Sequence, residues 1–400
     1  MTVYEDSYAG TGGGAIGKPV ELVCFALIFG QAVYLVASYL QGSWISGAGG
    51  TVANDFVAVW AAGQLVLQGN PAAVYDWPTH KAVEVLALGH PFAGYFGWHY
   101  PPVYLPVAAL LARLPYIPAQ NIFLFSTFCA YIFCLHRIIG ERFGFLLAAA
   151  FPAILANVIA GQNGFLSAAL MGGALLLLRP QPILAGILFG LLTYKPHLGV
   201  LVPLVLVAGG HWRAFIAAGM VAALMALATW TAFGTETWQA FLANIGHTSH
   251  AFLDNGWADI AKMQTAFSLV RVLGGADSLA WAVQGVVALI VAVAVVALWR
   301  SRVADEPKAA ALATGALLAT PYLYTYDLVV LAVPLAFLWR VGRTRGFLPH
   351  ELPGIAFACL LVLIFPFVKA PVGFAAVLVT AALIAGRVWP SHHRRAQAVV

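Results

Sequence analysis

Long apolar runs fill most of the chain, and short basic clusters and polar knots interrupt them at intervals. A helix that spans a bilayer needs about 20 apolar residues and must satisfy its own backbone groups where water is absent. The first such run, 19–40, is long enough to span. Further along, basic residues recur at His136/Arg137/Arg142, Arg179, His211/Arg213, Arg300/Arg302/Lys308, Arg340/Arg343/Arg345 and Arg387/Arg394/Arg395. The intervals Arg142 to Arg179, Arg179 to Arg213, Lys308 to Arg340 and Arg345 to Arg387 each suit two crossings, so each reads as a hairpin.

The hairpin apices are polar: GQNG at 161–164, TYKPH at 193–197, TPYLYTYD at 320–327 and KAP at 369–371. Basic loops mark the cytoplasmic side of a membrane protein, which puts all four apices on the opposite, periplasmic side. Two long non-spanning stretches, 41–102 and 234–275, fall on that side as well. The pattern predicts an all-α polytopic membrane protein with about twelve crossings and both termini in the cytoplasm. Residues 103–114 are short for a span and carry Arg113, so they read as re-entrant or interfacial. In the first loop, Asn54 and Asp55 precede an apolar stretch at helical spacing that predicts an interfacial amphipathic helix. Asn70-Pro71 and Asp76-Trp77-Pro78 each predict the start of a further short helix. Residues 1–400 read as a single domain ending in a cytoplasmic tail at 388–400.

Composition agrees with this pattern. Hydrophobic residues make up 62% of the 400 positions and charged residues only 9%, against about a quarter in soluble domains. With a mean hydropathy of +0.88, no sizeable aqueous domain is left over, which excludes a soluble enzyme on a single anchor. The net charge of +5 lies between apolar runs, where it sets topology, and there is no nucleic-acid signal. Cys24, Cys129, Cys134 and Cys359 lie in apolar stretches without metal-type spacing and read as packing thiols. The Gly-rich start carries Glu5 and Asp6 rather than the bases of a secretory signal, so the first span is expected to be retained. No Walker loop or HExxH is present, and no obligatory metal or other cofactor is expected.

The polar residues at the apices are the candidates for chemistry. Asp55 is either the N-cap of its helix or a general base whose proton affinity is raised by partial desolvation. Lys195 needs an anionic partner or a wet cavity unless it snorkels to the headgroups. Lys262 and Arg271 flank a segment that either holds bases beside a lipid phosphate or adheres to anionic lipid. Gln162, Asn163 and Gln264 suit sugar hydroxyls and suit broken-helix backbone equally well. His99 and Tyr100 stand at headgroup level, where His99 is either a solvated ring or a catalyst. His197 belongs to the Lys195 apex, and Tyr326 and Asp327 to the next, where Asp327 either orders a sugar or basic partner or caps the following helix.

Five segments taken together, 54–76, 100–110, 161–164, 194–204 and 320–331, resemble glycosyltransferase family 87 in the family's order. The resemblance spans roughly residues 19–346. It implies a GT-C-like membrane bundle that moves a sugar, with mannose the family-weighted choice, from a polyprenyl-phosphate donor to a hydroxyl of a glycolipid or glycan. It also implies an acid in the first extracytoplasmic loop, matched here by Asp55, and a setting in the bacterial inner membrane with the site facing the periplasm. The later apex in the family often carries a His where this chain has Tyr326-Asp327. On this reading Asp55 is the base, Lys195, Lys262 and Arg271 meet the donor phosphate, and His99, Tyr100, Gln162, Asn163, His197, Gln264, Tyr326 and Asp327 bind substrate. The partners are membrane lipid, the lipid-linked donor and the acceptor. A transporter or flippase of lipid-linked sugars is the rival, since polar residues at broken helices also line transport pathways.

Overall fold

The computed structural model describes residues 17–40, 53–94, 96–249, 260–368 and 370–397. The first sixteen residues, Lys369 of the fourth apex and the side chains from position 390 onward lie outside this description. Among the described residues there are helices and no strands, apart from a lone bridge between Met263 and Tyr324.

The order begins with α1 (Gly17–Leu40), then α2 (Phe56–Leu67), α3 (Trp77–Leu88) and α4 (Leu105–Leu111). A long helix α5 (Tyr116–Ile139) leads into the first hairpin, made of α6 (Gly144–Ala149), α7 (Ala153–Ala160) and α8 (Gly164–Leu177). The second hairpin comprises α9 (Pro182–Leu191), α10 (Pro196–Gly199) and α11 (Leu201–Ala208). After it come α12 (Trp212–Ser249), bent at Gly234, then α13 (Ala266–Val272) and α14 (Asp277–Arg300). The last two hairpins are α15 (Asp305–Ala319) with α16 (Ala332–Arg345), and α17 (Glu351–Ile364) with α18 (Val372–Gln397).

Among the described residues, six helical stretches are long and apolar enough to cross a membrane: those of α1, α5, α12 and α14, α16 together with the 3-10 stretch Thr325–Leu331 that leads into it, and α18. The other apolar helices are shorter, because several expected crossings are broken by proline and glycine. The outgoing arm of the first hairpin stops at Phe151-Pro152 between α6 and α7. In the second, Lys195 takes non-helical angles (φ −129°, ψ 68°) ahead of Pro196, as a residue before proline is pushed to do. Helix α4 is seven residues, about 10 Å, and does not cross.

Buried amide side chains supply partners at the broken helix ends that lipid would leave unsatisfied. Asn157 Oδ1 accepts the Gly164 amide at 2.8 Å where α8 begins. Gln284 Nε2 donates to the Leu318 and Ala319 carbonyls at 3.0 and 3.2 Å where α15 ends. Small residues bring α15 close to its neighbours, and α15 and α16 are buried almost throughout as the centre of the bundle. Helices α1, α12 and α14 turn large side chains such as Phe29, Leu224 and Leu289 outward, as lipid contact requires.

The two ends of the bundle differ in charge. At one end the basic clusters meet acids across the loops: Arg179 with Asp305, Arg343 with Glu141, Arg345 with Glu306 and Arg387 with Glu351. At the other end, a length of α8 or α15 away, the apices of the first three hairpins come together. The loop helices α2 and α3 close that end, with α2 buried on most of its surface.

Candidate functional site

Asp55 stands at the start of α2 with helical backbone angles, yet its side chain makes no capping bond. Asn54 takes that role, accepting the Phe56 amide and the Tyr116 hydroxyl, both at 3.1 Å, on Oδ1. The Asp55 amide donates to the Ala160 carbonyl at 3.0 Å, which fastens the loop to the end of α7. The chain turns there through Gly161 at φ +67°, where a Cβ would lie 2.7 Å from Asn54 Oδ1. Only glycine meets both demands. The Asp55 carboxylate is therefore free of its own helix and available to groups from other elements.

Those groups form a chain of hydrogen bonds whose direction is fixed by chemistry. Lysine can only donate, so Lys195 Nζ donates to Asn163 Oδ1 at 2.8 Å and the Asn163 amide is left to face the other way. Asn163 Nδ2 donates to the Tyr100 hydroxyl at 2.7 Å, which passes its own proton to Gln162 Oε1 at 3.0 Å. Gln162 Nε2 then donates to Asp55 Oδ2 at 2.9 Å. At the far end Lys195 pairs with Asp327 Oδ1 at 2.5 Å, and Asp327 Oδ2 accepts the Tyr324 amide at 3.3 Å. Lys195 and Asp327 are 5% and 1% exposed, so this ammonium is neither in water nor at the headgroups. Residues from the first loop and three hairpins thus meet in one connected set.

Burial pushes the Asp55 carboxyl from its ordinary 3.8 up to about 6, the Gln162 bond and the charges of Lys262 and Lys195 opposing the rise and Asp327 adding to it. Asp55 is half-buried and His99 is exposed. Burial also lowers His99 to about 4, which makes it a neutral imidazole at physiological pH. Lys262 is exposed on a single turn of 3-10 helix, with its charge acting on Asp55.

The remaining candidates are placed differently. Tyr326 stacks on Tyr324 with centroids 5.5 Å apart, and its ring centre lies 5.5 Å from Lys195 Nζ, so it belongs to the set. His197 follows two residues after Lys195, with Nε2 enclosed and without a hydrogen bond. Gln264 is fully buried, and its Oε1 accepts the Gly373 amide at 2.7 Å, tying the start of α18 to the third apex. Arg271 ends α13 beside Asp277 at 2.8 Å and donates to the Gly275 carbonyl at 2.9 Å. These contacts join Arg271 to the start of α14 and not to the Asp55 set. Among the described residues no three His, Cys, Asp or Glu side chains gather closely enough to hold a metal ion.

Two groups differ from the sequence expectation or were passed over. Trp98, expected with Tyr100 as a headgroup anchor, is fully buried, and with Tyr104 and Tyr194 it packs around the Tyr100 ring, with centroids 5.0, 5.0 and 6.2 Å from it, holding its hydroxyl between the two amides. His80 and Glu84 are fully buried on α3, one turn apart. Their i, i+4 spacing among buried apolar positions was the available signal for the second group.

The sequence model of glycosyltransferase family 87 matches residues 98–325, over half of the chain. The chain belongs to glycosyltransferase family 87. Membership makes it a membrane glycosyltransferase of GT-C type, consistent with its all-helical build. The matched span contains Tyr100, Gln162, Asn163, Lys195 and Lys262 and stops short of Asp55 and Asp327. No curated protein and no solved structure matches the chain.

Proposed function

We propose that this family 87 enzyme transfers a hexose, with mannose the first choice, from a polyprenyl-phosphate donor to a hydroxyl of a glycolipid or glycan. The observation that carries the reading is the Asp55 carboxyl, half-buried, held by one oxygen on Gln162, excluded from capping and raised by burial to about 6. A base of that strength is largely ionised at neutral pH and still holds a proton well enough to accept one. The acceptor oxygen attacks the anomeric carbon and its proton passes to Asp55. The bond from that carbon to the phosphate oxygen breaks, the electron pair leaves with the polyprenyl phosphate, and the configuration inverts.

Lys262 is the exposed cation nearest in charge to Asp55, and we assign it to the departing phosphate. Lys195, enclosed by Asp327 and Asn163, acts one step removed by holding the amides that orient Asp55. Arg271 is left out of this reading because Asp277 and the Gly275 carbonyl already engage it. The basic clusters at the opposite end support a cytoplasmic assignment for that end, which would face the site to the periplasm across a bacterial inner membrane. A monophosphate leaving group carries little charge, so turnover is expected to persist in chelator.

The test is purified protein in detergent with radiolabelled polyprenyl-phosphate mannose and candidate acceptors. Labelled product should form without a sealed compartment, and Asp55→Asn should reduce it by two to four powers of ten, the usual worth of a general base. Near-normal turnover in Asp55→Asn would remove this residue from the mechanism. Transport into vesicles with no detergent turnover would favour the flippase.

A further inference from the structure

Helix α2 has Asp55 at one end, and at its other end, about 18 Å away by the helix rise, the chain folds back around a second cleft. The fold-back is a glycine turn. Gly69 takes φ +79°, and the amides of Gly69 and Asn70 donate to the Val66 and Leu65 carbonyls at 3.0 and 2.9 Å, which closes the helix and leads into Pro71. The opposite wall comes from α12, which Gly234 (φ 80°, ψ 168°) breaks and re-aims. Trp230 Nε1 donates to Thr235 Oγ1 at 2.9 Å and Thr237 Oγ1 to the Phe233 carbonyl at 2.7 Å, so side chains tie the two arms across the bend.

The residues that follow each wall lock the two together. Tyr75, at the end of the 3-10 turn Pro71–Tyr75, packs on Phe241 with centroids 5.8 Å apart, and Asn244 Oδ1 accepts Trp77 Nε1 at 3.2 Å. The same brace reaches the Asp55 set, because the Tyr75 hydroxyl donates to the Tyr100 carbonyl at 3.0 Å. The result is a preformed cleft of about 340 Å³, inside the range of small-ligand sites, about 300–1,000 Å³. Its lining is mixed: Val66, Pro71 and Phe233 give apolar surface, and Asn70 and Glu236 give an amide and a carboxylate. Among the described residues neither of those two side chains has a protein partner, so both stand ready for a ligand.

We propose that this cleft is a second glycosyl-binding site, which takes a neutral sugar unit of the acceptor remote from the hydroxyl that reacts. A sugar ring offers hydroxyl donors and acceptors at its rim and C–H groups on its face, and the carboxylate, the amide and the Phe233 ring answer them. No cation lines the cleft, which sets it apart from any seat for the donor phosphate. Its single carboxylate is too few for a hard cation such as calcium, which takes about six or more oxygens. An acceptor that fills the cleft and presents a hydroxyl to Asp55 has to reach the length of α2, so it carries several sugar units. The outward stripe of Met220, Leu224, Leu227 and Trp230 runs along α12 to the cleft, which gives the sugar two possible sources, the headgroup of a membrane glycolipid or a soluble glycan. The role in transfer rests on the transferase reading, and the binding itself does not.

Saturation-transfer NMR of the full-length protein in detergent reads binding without turnover. The probes are free oligosaccharides of mannose, glucose or galactose, from single sugars to tetramers, and a dimannosyl glycolipid carried in the micelle. Asn70 and Glu236 are exposed, so their alanine variants keep the fold. Glu236→Ala should weaken binding about tenfold and Asn70→Ala about fivefold, the worth of one hydrogen bond to a charged and to a neutral group. Preference for the glycolipid identifies a headgroup, equal binding of the free oligomers identifies a soluble glycan, and either supports the site. Binding of no probe, or binding that both variants leave unchanged, would overturn the proposal. In the transfer assay both variants should raise KM by the same factors for acceptors of several sugars, with kcat unchanged and single-sugar acceptors unaffected. Normal KM for long acceptors would remove the cleft from acceptor recognition. Variant-sensitive binding in a protein that transfers nothing would sink the transferase reading and leave the sugar site standing.

Discussion

Lys195 is the most informative residue to perturb, because the structure gives it two separable duties. Its ammonium compensates Asp327, and its donation to Asn163 Oδ1 fixes which way the Asn163 amide and the Tyr100 hydroxyl must point. Lys195→Met leaves the Asp327 carboxylate, 1% exposed, without its cation. Breaking a buried pair by removing one partner costs about 3–5 kcal/mol. Lys195→Met/Asp327→Leu removes both charges. Replacing a buried pair with apolar side chains of similar volume is often neutral or gains about 1–4 kcal/mol. Against that stand the Tyr324 amide and Asn163 Oδ1, which each lose a partner at about 1 kcal/mol. The double variant should therefore melt near the wild type while the single variant melts well below it.

Turnover should behave differently. Without the lysine, Asn163 can present either face to Tyr100 and the hydroxyl proton can reverse, so Gln162 Oε1 loses one of the two donors that hold it and keeps only the Asn163 backbone amide at 3.2 Å. Loss of such positioning costs on the order of a hundredfold. Tryptophan-fluorescence melting in detergent and transfer of labelled sugar measure the two effects on the same sample. Recovery of stability without recovery of turnover is expected. Full turnover in the double variant would refute the directional chain and leave the pair a structural brace.

Three further perturbations address single links. Asp55→Asn should stabilise the protein: the native carboxyl titrates near 6 and the unfolded one near 3.8, so the wild type loses stability as pH rises through that window. The relief should reach at most about 3 kcal/mol above pH 6 and vanish below pH 4, and equal melting curves at pH 8 would contradict the buried charge. Tyr100→Phe removes the hydroxyl shared by Gln162 and Asn163 and should cost about 1–3 kcal/mol while lowering kcat more than it raises KM. Gly161→Ala forces a Cβ to within 2.7 Å of Asn54 Oδ1 at φ +67°, and a melting temperature equal to that of the wild type would show that this turn is not constrained.

Hydropathy and basic clusters were enough to predict a polytopic helical chain, and the apex motifs were enough to resemble the family that the match over residues 98–325 establishes. These are local properties: a run of apolar residues must satisfy its own backbone in lipid, and proline and glycine break it at fixed places. The candidate residues were legible for the same reason, since an ionisable or amide group at an apolar apex has few places to go. Which partner each one meets was not legible, because that depends on contacts between hairpins separated by scores of positions. Sequence left Asp55 between cap and base, and the structure gives the cap to Asn54. It left Lys195 between headgroup and cavity, and the 2.5 Å contact with Asp327, which lies 132 positions away, places it inside. Gln162 and Gln264 look alike along the chain, yet one reaches Asp55 and the other secures a helix start. His80 and Glu84 drew no notice on an apparently ordinary loop helix, because burial of that helix is a property of the assembled bundle and of no segment alone.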